Sequence, residues 1–152
     1  MSESTAPVLT AAERAAVKEA ATESRTRAAR KKISPEEARA AGEADVRAKI
    51  AEMDAEDGPL AEALMRLVAE NAPQLVPRTY YGMPAWANAA GKVVCFFKPK
   101  AKFKVRYATF EFEGPARLDD GRVWPVSYAV TALEDDDLAF LADRIRTAAP
   151  AA

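Results

Sequence analysis

One stretch of the sequence gathers side chains that can form a binding site: YYGMPAW, residues 80–86. Its aromatic rings flank a glycine and a proline, and phenol and indole groups can supply the polar contacts of an otherwise apolar cleft. We predict a ligand-binding site with four members: Tyr81, Met83, Trp86 and, later in the chain, Trp124. The alternative, which we favour, is that these rings are structural anchors between a helical layer and a sheet. Because strand alternation sends Tyr80 and Tyr81 to opposite faces, only one of the two can lie in the core.

A second candidate is an anion-binding stripe of five cations at alternate positions: Lys98, Lys100, Lys102, Lys104 and Arg106. In an extended segment, side chains two residues apart lie on one face, so a strand here would present a cationic face to phosphate or nucleic acid. The alternative, which we favour, is a solvated strand face that discourages edge pairing. A further basic tract at residues 25–32 also complements the dipole at a helix C-terminus. The formal net charge of −1 argues against a general nucleic-acid binder.

The residue types that are missing limit the chemistry further. The chain has no histidine and one cysteine, Cys95, so catalytic triads, imidazole proton relays and zinc sites of cysteine and histidine are excluded. Cys95 lies within an apolar run and is predicted to be an inert buried thiol. No spacing of carboxylates or tyrosines indicates an acid–base pair. We therefore predict no catalytic residues and no cofactor, and favour a binding protein over an enzyme.

The length and the hydropathy pattern indicate a small protein of the cytoplasm. A chain of 152 residues fits one domain with an appendage. No apolar run approaches the roughly 20 residues that cross a bilayer. The N-terminus lacks the basic start and the apolar core of an export signal. We therefore expect a soluble cytoplasmic protein with no membrane partner.

Residues 1–42 are predicted to form a helical, partly flexible extension. A disordered lead, residues 1–9, precedes a capping-box spacing at Thr10 and Glu13 and an alanine-rich tract that strongly favours helix. Val17 is the only large aliphatic residue of this tract. Its helix therefore has almost no apolar stripe for packing, and we expect it to be poorly anchored.

Residues 43–150 are predicted to form an α+β domain. Val46 and Ile50 mark the packing face of one helix, and turn signals at Asp57-Gly58-Pro59 separate it from a second amphipathic helix. A final amphipathic helix is predicted to begin after Thr131, which occupies the N-cap position of a capping-box spacing. These helices bracket a segment with a different pattern.

That segment is predicted to be an antiparallel sheet of four to five strands. A β-favouring run leads to Gly82, which permits a bend, and Pro84 indicates an edge strand because proline cannot donate to a ladder. The apolar run at 92–98 indicates a central strand. Residues 99–102 are predicted to be a hairpin connection, and residues 123–130 a last strand.

Two motifs resemble a known family. Tyr81-Gly82-Met83-Pro84-Ala85-Trp86, followed closely by Gly91-Lys92-Val93-Val94-Cys95-Phe96-Phe97, is similar to the YdhG-like domains, small bacterial proteins mostly of unknown function. Leu118-Asp119-Asp120-Gly121 with Trp124-Pro125 adds to the likeness, which covers residues 43–147. The resemblance implies an α+β fold with N-terminal helices, an antiparallel sheet and a C-terminal helix on one face.

Some members of the wider group are called frataxin-like iron chaperones, so the resemblance implies iron binding as an alternative function. The candidate ligands are three acidic clusters: Glu111 with Glu113, Asp119-Asp120, and residues 134–137. Acids are ordinary in a turn and in the first turn of a helix, whereas a hard cation needs several converging oxygens. We therefore assign no metal ligand. We expect a binding module for a small molecule or a protein partner, with nucleic-acid binding through the cationic stripe as a further alternative.

Overall fold

The computed structural model describes residues 8–151, so most of the expected disordered lead lies outside the described residues. This part of the chain has the predicted α+β architecture, with helices packed on a five-stranded antiparallel sheet. The helices are α1 (Ala11–Arg30), α2 (Pro35–Ala51), α3 (Asp57–Asn71), α4 (Lys100–Phe103) and α5 (Asp135–Ala148). The strands are β1 (Val76–Tyr80), β2 (Met83–Ala87), β3 (Val93–Lys98), β4 (Ala108–Phe112) and β5 (Ser127–Val130).

The two N-terminal helices begin at residues that satisfy their free N–H groups. The Thr10 hydroxyl accepts a hydrogen bond from the Glu13 N–H (3.0 Å), and the Glu13 carboxylate accepts one from the Thr10 N–H (2.9 Å), which confirms the predicted capping box. Ser34 caps α2, and Pro35 occupies its first position, where no N–H is needed. α2 runs unbroken through residue 42, so the expected boundary between extension and domain falls inside a helix.

α2 and α3 form the helical side of the main core. Their buried side chains lie on the predicted amphipathic faces: Val46, Ile50, Leu64, Leu67 and Val68. Gly42 allows α2 to lie close against β1, because a Cβ at this position would overlap the backbone carbonyl oxygen of Pro77.

The expected turn at Asp57-Gly58-Pro59 is instead the first turn of α3. Asp57 is only 2 % exposed, and its carboxylate accepts hydrogen bonds from the backbone N–H groups of Lys100 (3.1 Å) and Ala101 (2.9 Å). These two residues begin α4, so a buried acid joins α3 to the connection between β3 and β4. The prediction failed because a helix N-terminus and a turn favour the same residue types.

Each strand pairs with its neighbour in the chain, in the order β1-β2-β3-β4-β5. β1 and β2 form a hairpin that is closed by the pair Tyr80↔Met83. The two loop residues, Tyr81 (φ 51°) and Gly82 (φ 76°), both have positive φ, as in the type I′ turns that match the twist of a hairpin. The predicted bend at Gly82 is therefore confirmed. Tyr81 lies in the loop rather than in a strand, and its ring meets that of Tyr80 edge to face at 4.8 Å.

β2 is an internal strand, so the predicted edge position of Pro84 is wrong. β1 pairs with one side of β2 and β3 pairs with the other. Pro84 is tolerated because the pairing with β3 begins one residue later, at Ala85↔Phe96, and the missing N–H removes no bond from that ladder. A register shift between Trp86 and Ala87 then interrupts the regular pairing of β2.

The predicted central strand is β3, the third of the five, and its residues 93–97 are all buried. The hairpin connection predicted at 99–102 does join two antiparallel neighbours, β3 and β4, but it extends over residues 99–107 and contains a helical turn. Lys100–Phe103 forms the single helical turn α4, and Lys104 takes a left-handed conformation (φ 53°) directly after it. The alternating sequence from 98 to 107 is therefore not one strand.

Two bounds near the C-terminus also differ from the predictions. Only Ser127–Val130 of the expected strand at 123–130 pairs with β4, because Pro125 and its neighbours run as an irregular loop. The last helix begins at Asp135 rather than just after Thr131, and the Asp137 carboxylate accepts a hydrogen bond from the Glu134 N–H (2.9 Å) at its start.

The sheet separates two apolar clusters of unequal size. The larger lies between the sheet and helices α2, α3 and α5, where the ring centroids of Trp86 and Phe110 are 6.4 Å apart. The smaller lies on the other face and consists of Met83, Ala85, Val93 and Phe96, with Tyr80 and Phe103 packed against it. None of the helices in residues 8–151 combines the length and the hydropathy needed to cross a bilayer.

Candidate functional site

The four residues of the predicted ligand site do not line one cavity. Met83 and Trp86 lie on opposite faces of β2: Met83 belongs to the smaller apolar cluster, and Trp86, which is 2 % exposed, belongs to the larger one. Tyr81 is 38 % exposed in the β1–β2 loop. Trp124 is half-buried against the larger cluster, in the loop before β5. The positions of Met83, Trp86 and Trp124 fit the alternative role of structural anchors.

Two cations of the predicted stripe form ion pairs within the fold. Lys100 and Lys102 lie on the helical turn α4 rather than on a strand face. The Lys100 ammonium contacts the carboxylate of Glu56, the residue before α3, which raises the pKa of Lys100. Lys102 Nζ donates to Glu19 Oε1 of α1 at 2.8 Å.

The other three cations of the stripe lie outside α4, although Lys98 contacts the same Phe103 ring as Lys102 does. Lys98 Nζ lies 5.2 Å from the centre of the Phe103 ring, and the Arg106 guanidinium lies 5.0 Å from the centre of the Tyr107 ring. Lys104 is exposed in its left-handed conformation. The continuous cationic face that the alternating pattern predicts is therefore not formed.

The β1–β2 loop binds a carboxylate of the N-terminal helix. Glu23 of α1 accepts hydrogen bonds from the backbone N–H groups of Tyr81 (3.0 Å, to Oε2) and Gly82 (2.7 Å, to Oε1). Hydrogen bonds from two N–H groups to one carboxylate are among the stronger polar contacts in proteins. A Cβ at Gly82 would also displace the ends of the Glu19 and Lys102 side chains, which are paired with each other.

Further ion pairs join α1 to α2 and α4. Glu19 lies between two lysines: Lys102 donates to its Oε1, and Lys49 Nζ of α2 lies 3.3 Å from its Oε2. Within the described residues the buried Oε2 accepts no hydrogen bond, so its contact with Lys49 is an ion pair without hydrogen-bond geometry. Arg30 contacts both oxygens of Asp45 (2.6 and 3.4 Å), a pairing that raises the pKa of Arg30.

These contacts leave a cleft of about 960 Å³ between α1, α2, β1 and the β2–β3 turn. Its volume lies in the range of small-molecule binding sites. Val76, Pro77 and Ala87 contribute apolar surface to it. Six cationic side chains line the cleft (Lys18, Arg27, Arg30, Lys31, Lys49 and Arg78) against four acidic ones (Glu19, Glu23, Asp45 and Glu52), so the lining carries an excess of two positive charges.

Arg78 is a cation of this cleft that the fold leaves without an acid. It is half-buried on β1 and donates hydrogen bonds to the carbonyl oxygens of Thr79 (3.0 Å) and Gly91 (3.4 Å). It forms no ion pair with any of residues 8–151. Burial lowers the pKa of Arg78, and the positive charge of Arg27 on α1 lowers it further. A guanidinium stays protonated in proteins, so the lowered pKa does not mean that Arg78 loses its charge. It means that partial burial and the nearby charge of Arg27 make the charged form of Arg78 less favourable than it is in water.

Arg27 is another cation of the cleft without an ion-pair partner in the described part of the chain, as are Lys18 and Lys31, and it is the one whose charge lowers the pKa of Arg78. It is exposed on α1, and no described residue accepts a hydrogen bond from it. The charge of Glu23 partly offsets that of Arg78, but both oxygens of Glu23 are already engaged by the β1–β2 loop. Two guanidinium groups therefore share the cleft without a free carboxylate, and an anion between them would relieve their repulsion.

Trp86 lines a second and smaller cleft, of about 430 Å³, between α2 and α3. Two of its three arginines are engaged in the fold. Arg39 donates to two backbone carbonyl oxygens of the α3–β1 connection (2.8 and 3.0 Å), and Arg47 pairs with Glu43 on its own helix (2.9 Å). Trp86 is thus the one residue of the predicted ligand site beside either cleft.

Metal binding and thiol chemistry are the two remaining candidates. Across residues 8–151, no three side chains of His, Cys, Asp or Glu come together in a group that could hold a metal ion, so the geometry gives no support to the iron alternative. Cys95 is completely buried in β3, and burial raises the pKa of its thiol, as expected for an inert cysteine.

Four residues that build the larger cleft were missed as a group by the sequence analysis: Glu19, Glu23, Arg27 and Arg78. Arg27 lies in the basic tract at 25–32, but nothing in the pattern distinguishes it from its neighbours. The signal that was present is the helical spacing of Glu19 and Glu23, four residues apart on one face of α1. Amphipathic patterns identify the apolar face of a helix, and α1 packs through a polar face, so the pattern gave no indication of it.

Comparisons of the chain with protein-family models, with curated proteins and with solved structures find no match. The resemblance to the YdhG-like domains therefore stays a prediction from sequence motifs. The α+β element order agrees with the fold that this resemblance implies, but agreement in fold alone does not indicate a function.

Proposed function

We propose that the protein is a non-enzymatic binding module for a small organic anion, which binds in the cleft between α1, α2 and β1. The observation that carries this proposal is the environment of Arg78. Its guanidinium is half-buried, lacks a carboxylate partner among residues 8–151, and has a pKa lowered by burial and by Arg27. A partly desolvated charge gains from an ionic partner, and a bound anion would provide one in addition to the two carbonyl oxygens and the Tyr80 ring (5.7 Å) that Arg78 already contacts.

The lining of the cleft indicates the class of ligand. An anionic group would accept hydrogen bonds from Arg78 and Arg27, while Val76, Pro77 and Ala87 offer apolar surface for the remainder of the molecule. A carboxylate, sulfonate or phosphate on an apolar body meets both requirements. Binding without catalysis is favoured because the chain has no histidine and its one thiol is buried.

A pair of fluorescent probes tests this proposal. 8-Anilinonaphthalene-1-sulfonate carries a sulfonate on an apolar ring system, and N-phenyl-1-naphthylamine has the same rings without the charge. We expect Arg78→Gln to weaken binding of the sulfonate at least about tenfold, since a hydrogen bond to a charged group contributes about 1.5–3 kcal/mol. Binding of the uncharged probe should change little.

Arg66→Gln is the matched control, because Arg66 lines the smaller cleft beside Trp86. This change should leave the binding of both probes as in the unaltered protein. If Arg66→Gln weakens sulfonate binding as much as Arg78→Gln does, the anion does not bind where we propose. Equal weakening of both probes by Arg78→Gln would mean that the guanidinium supports the fold of the cleft rather than an anion.

A further inference from the structure

α1 faces the rest of the protein with a polar stripe. Its incompletely exposed positions recur three or four residues apart: Ala12, Ala16, Glu19, Ala20, Glu23, Thr26 and Arg30. Ala16 is the one buried residue of this helix, and Val17, its only large aliphatic side chain, is 49 % exposed. Because so little apolar surface is buried, the hydrophobic effect contributes little to holding α1 in place. The position of α1 depends on charged contacts.

These contacts are of a kind that salt weakens. The ion pairs of Glu19 and Arg30 involve side chains that remain 27–39 % exposed, and such pairs are screened by dissolved ions. Glu23 makes the best-defined contact, because both of its oxygens accept backbone N–H groups of a single loop. Glu23 is therefore the principal attachment of the helix.

We propose that α1 is a lid over the anion site, attached by Glu23 to the Tyr81–Gly82 loop, and that an anion in the cleft holds this lid closed. The inference rests on the proposed function, since the anion is the ligand proposed there. Arg27 belongs to the lid and Arg78 to the sheet, so an anion that contacts both joins the two parts. Without the anion the two guanidinium groups repel each other, which favours opening.

The lid can open while the main core stays intact. α1 ends at Arg30 and α2 begins at Pro35, so a short connection at one end joins the lid to the domain. α2 itself is fixed by Val46 and Ile50 in the larger apolar cluster. Glu23 lies about two turns from the end of α1. Rotation about the connection would release this contact without disturbing the cluster.

Anion binding and lid closure are therefore linked equilibria. An anion that binds only the closed form raises the population of that form, and any change that opens the lid weakens anion binding correspondingly. Glu23 offers a decisive test, because two effects of its charge have opposite signs. Glu23→Gln removes a negative charge beside Arg78, which by charge alone strengthens anion binding. If Glu23 holds the lid closed, Glu23→Gln instead weakens anion binding.

Hydrogen–deuterium exchange of the full chain measures the lid directly. A detached α1 keeps only its own backbone hydrogen bonds and loses the contacts that stabilise helices in proteins, so its amides exchange faster once it leaves the domain. We expect α1 amides to exchange at least about tenfold faster when NaCl rises from about 20 to about 500 mM, which shortens the Debye length from roughly 20 to roughly 4 Å. Exchange in α3 should not change.

Variants and probe complete the experiment. At low salt, Glu23→Gln should reproduce the fast exchange of α1, whereas Glu70→Gln on α3, which removes an exposed acid without an ion pair in residues 8–151, should not. A saturating concentration of 8-anilinonaphthalene-1-sulfonate should restore slow exchange in the unaltered protein at high salt. It should bind Glu23→Gln several-fold more weakly and fail to protect α1 in Arg27→Gln.

The outcomes separate this inference from the proposed function. Slow α1 exchange at both salt concentrations refutes the lid, whether or not the probe binds. If Arg78→Gln weakens probe binding but the probe leaves α1 exchange unchanged, the coupling is refuted and the proposed function stands. Tighter probe binding by Glu23→Gln also refutes the coupling. If Arg78→Gln leaves probe binding unaltered, both proposals fail.

Discussion

Replacing Asp57 with alanine should destabilise the protein strongly, although Asp57 touches neither cleft. The change removes a buried carboxylate that accepts two hydrogen bonds, from the N–H groups of Lys100 and Ala101. Each such bond to a charged acceptor contributes about 1.5–3 kcal/mol. Part of this gain is offset, because burying a carboxylate is itself unfavourable. We expect the free energy of unfolding to fall by about 2–4 kcal/mol, toward the upper end of helix-capping substitutions and beyond.

Thermal and urea unfolding, followed by circular dichroism, measure this loss. For a chain of this length a loss of 2–4 kcal/mol corresponds to a fall in Tm of about 4–16 °C. Glu56→Gln is the matched control, because Glu56 precedes Asp57 and pairs with the Lys100 side chain, but is exposed. An exposed pair contributes only about 0–1 kcal/mol. Asp57→Asn should fall between the two, since it keeps one acceptor oxygen and loses the charge.

The reasoning would be refuted if Asp57→Ala and Glu56→Gln destabilised the protein equally. It would also be refuted if the amides of Lys100 and Ala101 exchanged with solvent equally fast in the unaltered protein and in Asp57→Ala. Either result would mean that α4 is held by the side chains on its surface rather than by the buried acid.

Two other substitutions or treatments test the packing. Gly42→Ala should lower the free energy of unfolding by about 1–3 kcal/mol, because the new Cβ meets the Pro77 carbonyl. At an ordinary helical position, replacing glycine with alanine instead raises the free energy of unfolding by about 1 kcal/mol. Urea unfolding measures the change, and Ala40→Gly is the control that gives the ordinary preference for alanine in this helix. Burial raises the pKa of the Cys95 thiol above its unfolded value, so the free energy of unfolding should decrease as pH rises past about 8.5, where the unfolded thiol ionises. A thiol reagent at pH 8 should react with Cys95 only at the rate of unfolding, because the thiol is buried. Rapid reaction of the folded protein would contradict this burial.

The sequence predicted the elements whose signals are local. The capping box at Thr10, the packing faces at Val46 and Ile50, the bend at Gly82 and the central strand at 92–98 all depend on residues within one turn or one strand. The amphipathic pattern around the helices then leads to the α+β class without knowledge of which strands are neighbours.

The failures arise where a distant contact decides the structure. Pro84 indicates an edge when β2 is considered alone, but β3 pairs with β2 one residue beyond it. The local sequence around Asp57 predicts a turn, because it contains no sign of the N–H groups that Asp57 binds. These belong to Lys100 and Ala101, more than forty residues away. The same holds for the candidate site: Arg78 and Arg27 become significant only because α1 returns across β1, and no local pattern indicates this return.

The strand order has a consequence for how the chain reaches its folded state. Because every strand pairs with its chain neighbour, the sheet can grow one hairpin at a time, and the longest loop that must close lies between β4 and β5. The end of the described chain adds long-range hydrogen bonds: Arg146 of α5 donates to Asn71 (2.6 Å), and Gln74 donates to the carbonyl of Ala149 (2.6 Å), each pair 75 residues apart. α5 covers one side of the larger apolar cluster, so during synthesis this side stays uncovered until α5 has left the ribosome. The nascent chain is therefore exposed to aggregation through this apolar surface until α5 packs on it.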